Sequence, residues 1–148
     1  MNISQIIERK GTDVKVVAAD SRLRNAMTVM HYESIGSVII LDRTAAKPFG
    51  IVSQDAILAA LTKRGSAGLD APVAEIMDEP LYCSPADSSD AVLANMTRIK
   101  QRHAVVVDDD GNIRGIVSIG DLVATHIQDL ETESLVLRDM ARSRMLAA

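Results

Sequence analysis

The chain has 148 residues, 47% of them hydrophobic and 24% charged, the balance of a globular protein long enough to bury a core without disulfide or metal staples. Only 2% are aromatic (Tyr32, Phe49 and Tyr82) and the formal net charge is −4, which argues against a stacked single-strand platform and a broad phosphate-backbone surface. One cysteine, Cys83, excludes an internal disulfide and a four-cysteine zinc site. No apolar run approaches a membrane span, and Met1-Asn2-Ile3-Ser4-Gln5 lacks the layout of a secretion signal. A cytoplasmic protein with no nucleic-acid or membrane partner is expected.

Along the chain, residues 3–7 read as a short apolar turn and residues 15–18 as an extended piece. Asp20 or Ser21 can cap a helix whose apolar stripe is Leu23, Ala26, Met27 and Met30, with Gly36 as terminator. Two strands follow, at residues 38–41 and 49–52, joined by a loop at residues 43–48. Ser53 caps a closing helix that stops at Gly65, and residues 65–72 form a small, breaker-rich linker. The order then repeats. An apolar turn (residues 73–77) and an extended piece (residues 81–84) precede a helix capped by Asp87, Ser88 or Ser89, with Val92, Leu93, Met96 and Ile99 as its stripe. Strands at residues 104–107 and 113–117 flank Asp108-Asp109-Asp110-Gly111-Asn112, a hairpin signal because Gly and Asn accept positive φ.

Phe49-Gly50-Ile51-Val52-Ser53 returns as Arg114-Gly115-Ile116-Val117-Ser118, and residues 34–42 have the build of residues 100–108. The chain therefore reads as an α/β (α+β) protein of two β-α-β-β-α half-domains with pseudo-twofold symmetry. They occupy residues 1–68 and 69–126, with a helical extension at 127–148. The near-continuous apolar strands imply sheets covered on both faces. In the extension Ile127, Leu130, Leu137 and Met140 mark a packing or dimer helix, against the alternative of a solvated one.

Ser118 stands where a strand hands over to a helix, beside unpaired N–H groups that suit an anion. Asp121, three residues on, shares its helix face. Its carboxylate can accept both hydroxyls of a ribose, or complete a capping box with Ser118; spacing leaves both open. In the first half Ala56 takes that position, while Asp55 points about 100° elsewhere and serves with Ser53 as a cap. The triple aspartate reads as a solvated hairpin tip rather than a metal site. Cys83, Met27, Met30, Met77 and Met96 read as core filling, and His31 and His126 as isolated. No nucleophile paired with a base, His-rich cluster or phosphate-cradling glycine loop speaks for an enzyme.

Gly115-Ile116-Val117-Ser118-Ile119-Gly120-Asp121-Leu122 fits the Gly-apolar-apolar-Ser/Thr-x-x-Asp signature of the CBS domain. Arg102-His103-Ala104-Val105-Val106-Val107-Asp108 resembles that family's Arg-His-Leu-Pro-Val-Val-Asp, with Ala104-Val105 in place of Leu-Pro. Residues 1–126 thus resemble a tandem CBS pair (Bateman module) of the stand-alone bacterial type. The resemblance implies a regulatory, energy-sensing module without catalysis, binding an adenine nucleotide such as AMP, ATP, NAD or S-adenosylmethionine. It assigns ribose to Asp121, and ribose or phosphate to Ser118. It lines an adenine slot with Met77, Tyr82, Ser84, Pro85, the backbone of His103 and Ala104, and Val117, and turns Arg102 and His103 toward phosphate, a solvated charge at the strand entry being the alternative for Arg102. It leaves a weak or altered first-half site at Ser53, Ala56, Gly36 and Ser37. It also implies a homodimer and a regulated protein partner. The alternative is a protein-interaction and dimerisation module with vestigial pockets.

Overall fold

Side-chain alternation along the central strands sets the architecture, because each strand has an apolar residue for both faces. The structure, a computed structural model, describes residues 1–42 and 48–147. Its first half contains α1 (Ile3–Lys10), β1 (Val16–Ala18), α2 (Leu23–Tyr32), β2 (Ser37–Leu41), β3 (Pro48–Ser53) and α3 (Gln54–Arg64). Two 3-10 turns, Gly65–Asp70 and Val73–Glu75, lead to β4 (Tyr82–Cys83), α4 (Ser89–Ile99), β5 (His103–Val107), β6 (Ile113–Ser118) and α5 (Ile119–Ala147). The loop expected between β2 and β3 falls mostly outside the described residues.

Each half forms a three-stranded sheet, β1-β2-β3 or β4-β5-β6. In both, the first pair is parallel and the second antiparallel, with the register shift at the matching place, Ile40/Leu41 and Val106/Val107. Val38 and Ile40 pack with α2, whereas Ile39 between them joins Ile51 and Val105 in a separate cluster. Ala104 and Val106 likewise belong to the second half's own core, and Val105 to the shared cluster. One face of each sheet therefore holds its own helices and the other holds its counterpart sheet. The pseudo-twofold relation is built from strand alternation.

The opening segments are exchanged between the halves. Ile3, Ile6 and Ile7 of α1 are buried with Cys83, Met96 and Val117 of the second half. Val73, Ile76 and Met77 pack into the first half's cluster. The mid-strand glycines follow from this crossing, since a Cβ on Gly115 would lie 2.6 Å from Ile7 Cδ1. A Cβ on Gly50 would run into Met77, 2.7 Å from its Cγ.

Local chemistry departs from the sequence reading at three points. The cap of α2 is Arg22, which makes no side-chain capping bond, rather than Asp20 or Ser21. The chain leaves α2 through Glu33 and Ser34 (φ 53°), not Gly36. Gly36 is small for another reason: a Cβ there would stand 3.1 Å from His103 Nε2. The expected linker is a 3-10 turn whose Gly68 is buried. Elsewhere the expected caps form, Ser53 Oγ accepting from the Ala56 N–H and Ser88 Oγ from the Ala91 N–H. The aspartate turn closes on Asp108, whose Oδ1 accepts the N–H groups of Asp110 (3.0 Å) and Asn112 (2.9 Å), while Gly111 takes φ 81°.

The closing helix of the second half and the tail are one 29-residue helix, α5, about 44 Å long at 1.5 Å per residue. Leu122 and Thr125 are buried, and every described residue from Leu130 onward is exposed. No described helix is long and apolar enough to cross a membrane.

Candidate functional site

The antiparallel pairing of β5 with β6 sets His103 opposite Ser118, and the equivalent pairing in the first half sets Ser37 opposite Ser53. Gln54 N donates to Gly36 O at 3.2 Å, and Ile119 N to Arg102 O at 2.9 Å, so the two helix starts are held alike. Where the halves meet there is an open cleft of about 880 Å³. Its apolar wall includes Val14, Ile35 and Ile116, and its polar wall includes Lys10, Lys15, Gly36, Ser37, His103 and Ser118. Gln54 at the start of α3 and Ser118 at the start of α5 both border it, which brings two helix N-termini, each favourable to negative charge, to one space.

The Ser118–Asp121 pair forms the reciprocal cap: Asp121 N donates to Ser118 Oγ (3.2 Å) and Ser118 N donates to Asp121 Oδ2 (2.8 Å). The same Oδ2 accepts from Lys10 Nζ at 2.7 Å, and Lys10 Nζ also donates to Ile116 O at 2.8 Å. Partial burial pushes the Asp121 pKa up, but the Lys10 ammonium and the Ser118 N–H outweigh it and hold the carboxyl below its usual range. The carboxylate is ionised at neutral pH. His103 is lowered, chiefly by burial and then by the Lys10 charge, against the opposing pull of Asp121 and Asp55; its imidazole is neutral at pH 7. Lys15, across the cleft, is held by Asp13 at 3.0 Å and Glu33 at 3.6 Å.

The anticipated site residues are divided by this geometry. His103 and Ser118 line the cleft, and Asp121 adjoins it through Lys10. Gly36 and Ser37, expected with the altered first-half site, line the same cleft, while Ala56 is buried under the Ser53 cap. Ala104 and Val117 have fully buried side chains in the second half's core. Met77 lies against Gly50 in the first half, outside the cleft. Tyr82 is exposed on β4. Ser84 and Pro85 form the turn that receives the start of α1, Pro85 O accepting from Ser4 N at 2.9 Å. Arg102 Nε lies 3.4 Å from Asp55 Oδ2, an exposed pair. His126 Nδ1 lies 3.4 Å from Asp90 Oδ1, and His31 lines the cleft. Lys10, Val14, Lys15 and Ile35 carry no motif; Gly115, whose missing side chain makes room for Ile7, marks only where α1 and with it Lys10 cross β6.

A model of the CBS domain matches residues 3–63 and again residues 73–126. The chain belongs to the CBS domain family. Its two matches make it a tandem CBS pair, with the distal part of α5 beyond the second. It is 22% identical over 127 residues to the CBS domain-containing protein YhcV of Bacillus subtilis (strain 168), covering 86% of this chain and 89% of that protein. Among solved structures it resembles the CBS-domain containing protein ATU1752 from Agrobacterium tumefaciens (TM-score 0.79, 28% identity, 84% of this chain and 98% of that one). It shares the fold of the CBS domain protein PAE2072 from Pyrobaculum aerophilum, which is complexed with AMP (TM-score 0.73, 24% identity, 82% and 89% covered).

Proposed function

We propose that this CBS pair is a regulatory module that binds an adenine nucleotide in the cleft between its halves and performs no reaction on it. The observation that carries the reading is the ionised Asp121, fixed by the Ser118 cap beside a cleft that two helix N-termini border. A carboxylate so placed can accept both ribose hydroxyls, and the positive ends of the two helices favour a phosphate. Val14, Ile35 and Ile116 offer apolar walls for adenine. We draw the base subsite from these residues rather than from Met77, Tyr82, Ser84 and Pro85, which lie outside the cleft. In the pseudo-equivalent first-half position Ala56 supplies no carboxylate, and Asp55 is paired with Arg102, so one ribose site per chain is proposed. The AMP bound by PAE2072 supports the ligand class.

Regulation without catalysis fits the side chains available. Cys83 is buried and its thiol is pushed up to about 12, by burial first and then by the Asp87 charge, which leaves it protonated and unreactive near neutral pH. No cluster among the described residues could hold a metal ion. The functional unit is both halves together, since each receives the other's opening segment. A homodimer is part of this reading, with α5 as an additional contact. The exposed Leu135, Val136 and Leu137 on that helix favour a second, compatible role in binding a protein partner.

The test is thermal denaturation against AMP, ADP, ATP, NAD and S-adenosylmethionine. A ligand at 100 times its Kd adds about 2.7 kcal/mol, a rise of several degrees for a chain of this size. At least one ligand is expected to give it, and Asp121→Ala to remove it. No shift with any ligand, or the same shift in Asp121→Ala, would overturn the reading in favour of the interaction role alone.

A further inference from the structure

Lys10 stands in the way of the proposed ribose contact. Its ammonium is bonded to Asp121 Oδ2 at 2.7 Å, the oxygen that also accepts the Ser118 N–H at 2.8 Å. A ribose that engages both carboxylate oxygens, one hydroxyl on each, therefore competes with a cation for Oδ2. The lysine comes from the last residue of α1, the helix that crosses to the second half, and Gly11 follows it at φ 96° with nothing near its Cβ direction. Its second bond goes to the carbonyl of Ile116. In the first half the equivalent carbonyl, that of Ile51, is taken by a backbone N–H from Asp78, so an unbranched, charged side chain has replaced a fixed backbone group.

Displacement has an electrostatic consequence. An ammonium displaced from Asp121 in this open cleft is hydrated, and an anion brought beside it restores the charge-assisted bond it has lost. Lys15 already occupies the nearby carboxylates of Asp13 and Glu33. A neutral nucleoside would take the carboxylate and leave Lys10 without a counter-charge, whereas a 5′-phosphate brings its own. We infer that Lys10 is the specificity-determining residue of the cleft: the ribose displaces its ammonium from Asp121, and the ammonium transfers to the ligand's phosphate. The site thereby selects phosphorylated adenosine over adenosine. The flexible four-carbon stem of lysine permits such a transfer, which a backbone donor would not. This inference rests on the nucleotide reading above.

Equilibrium binding of AMP and of adenosine to wild type, Lys10→Met and Lys10→Arg tests it. Wild type is expected to prefer AMP by about tenfold or more, the size of a charge-assisted bond. Lys10→Met should weaken AMP by a similar factor while adenosine binds as well or better, so that the preference collapses. Lys10→Arg should keep it. Retained adenosine binding also shows that Lys10→Met is folded. An unchanged preference in Lys10→Met, with AMP still bound, overturns the role of Lys10 alone. Failure of wild type to bind either ligand overturns this inference, whereas the nucleotide reading falls only if none of the five ligands of the thermal screen binds.

Discussion

At the scale of single residues, the site depends on which protonation state each group keeps. The His103 pKa lies below the ordinary 6.5, chiefly because burial penalises its charged form. Above 6.5 both folded and unfolded chains carry it neutral, and its contribution to stability is complete. As pH falls from 6.5 toward the folded value, the unfolded chain takes up the proton first and the contribution is lost. The thermal midpoint is therefore predicted to fall between pH 7 and about 5.5, with a shallower slope in His103→Gln. Parallel slopes in the two proteins would show that this imidazole is not the group responsible. Much of the residue-level chemistry was legible in the sequence, because Ser118 and Asp121 cap one helix and a cap is a local relation. The Gly36–His103 approach and the Lys10–Asp121 bond were not, since they join residues 67 and 111 positions apart.

At the scale of elements, periodicity placed the helices and strands, and packing decided their ends. The strands extend a residue or so beyond the apolar runs that marked them, to Ser37 and His103 at one end and Ser53 and Ser118 at the other, because the ladder pairs polar residues as readily as apolar ones. What periodicity could not show is which half α1 serves. Its stripe of Ile3, Ile6 and Ile7 fits a core but does not name one. The long α5 makes the same point, since its proximal turn is core and its distal turns are surface under one apolar pattern. Truncating Leu122→Ala is predicted to cost about 2–5 kcal/mol in urea denaturation, as for other buried leucines. Leu137→Ala should stay within about 0.5 kcal/mol in dilute protein. A comparable loss in both would mean that the distal helix is packed against the body.

For the whole molecule, the repeat was visible as two strings ending in Gly-Ile-Val-Ser, and it accounts for the paired sheets and the shared cluster around Ile39, Ile51 and Val105. It also explains how a chain with two tyrosines and one phenylalanine can close its core, because aliphatic residues cover both faces of each sheet. The exchange of opening segments packs part of each half into the other's core and brings Lys10 of the first half to the cleft that Ser118 of the second half lines. That cleft carries the proposed function, which assigns one ribose site per chain because Asp121 has Ala56 as its first-half counterpart. Calorimetric titration of the intact protein with whichever of the five ligands raises its thermal midpoint most tests this most directly, by counting ligands. One ligand per chain is expected, with no binding heat in Asp121→Asn. Two equivalents per chain, no binding to wild type, or an undiminished isotherm in Asp121→Asn would contradict it.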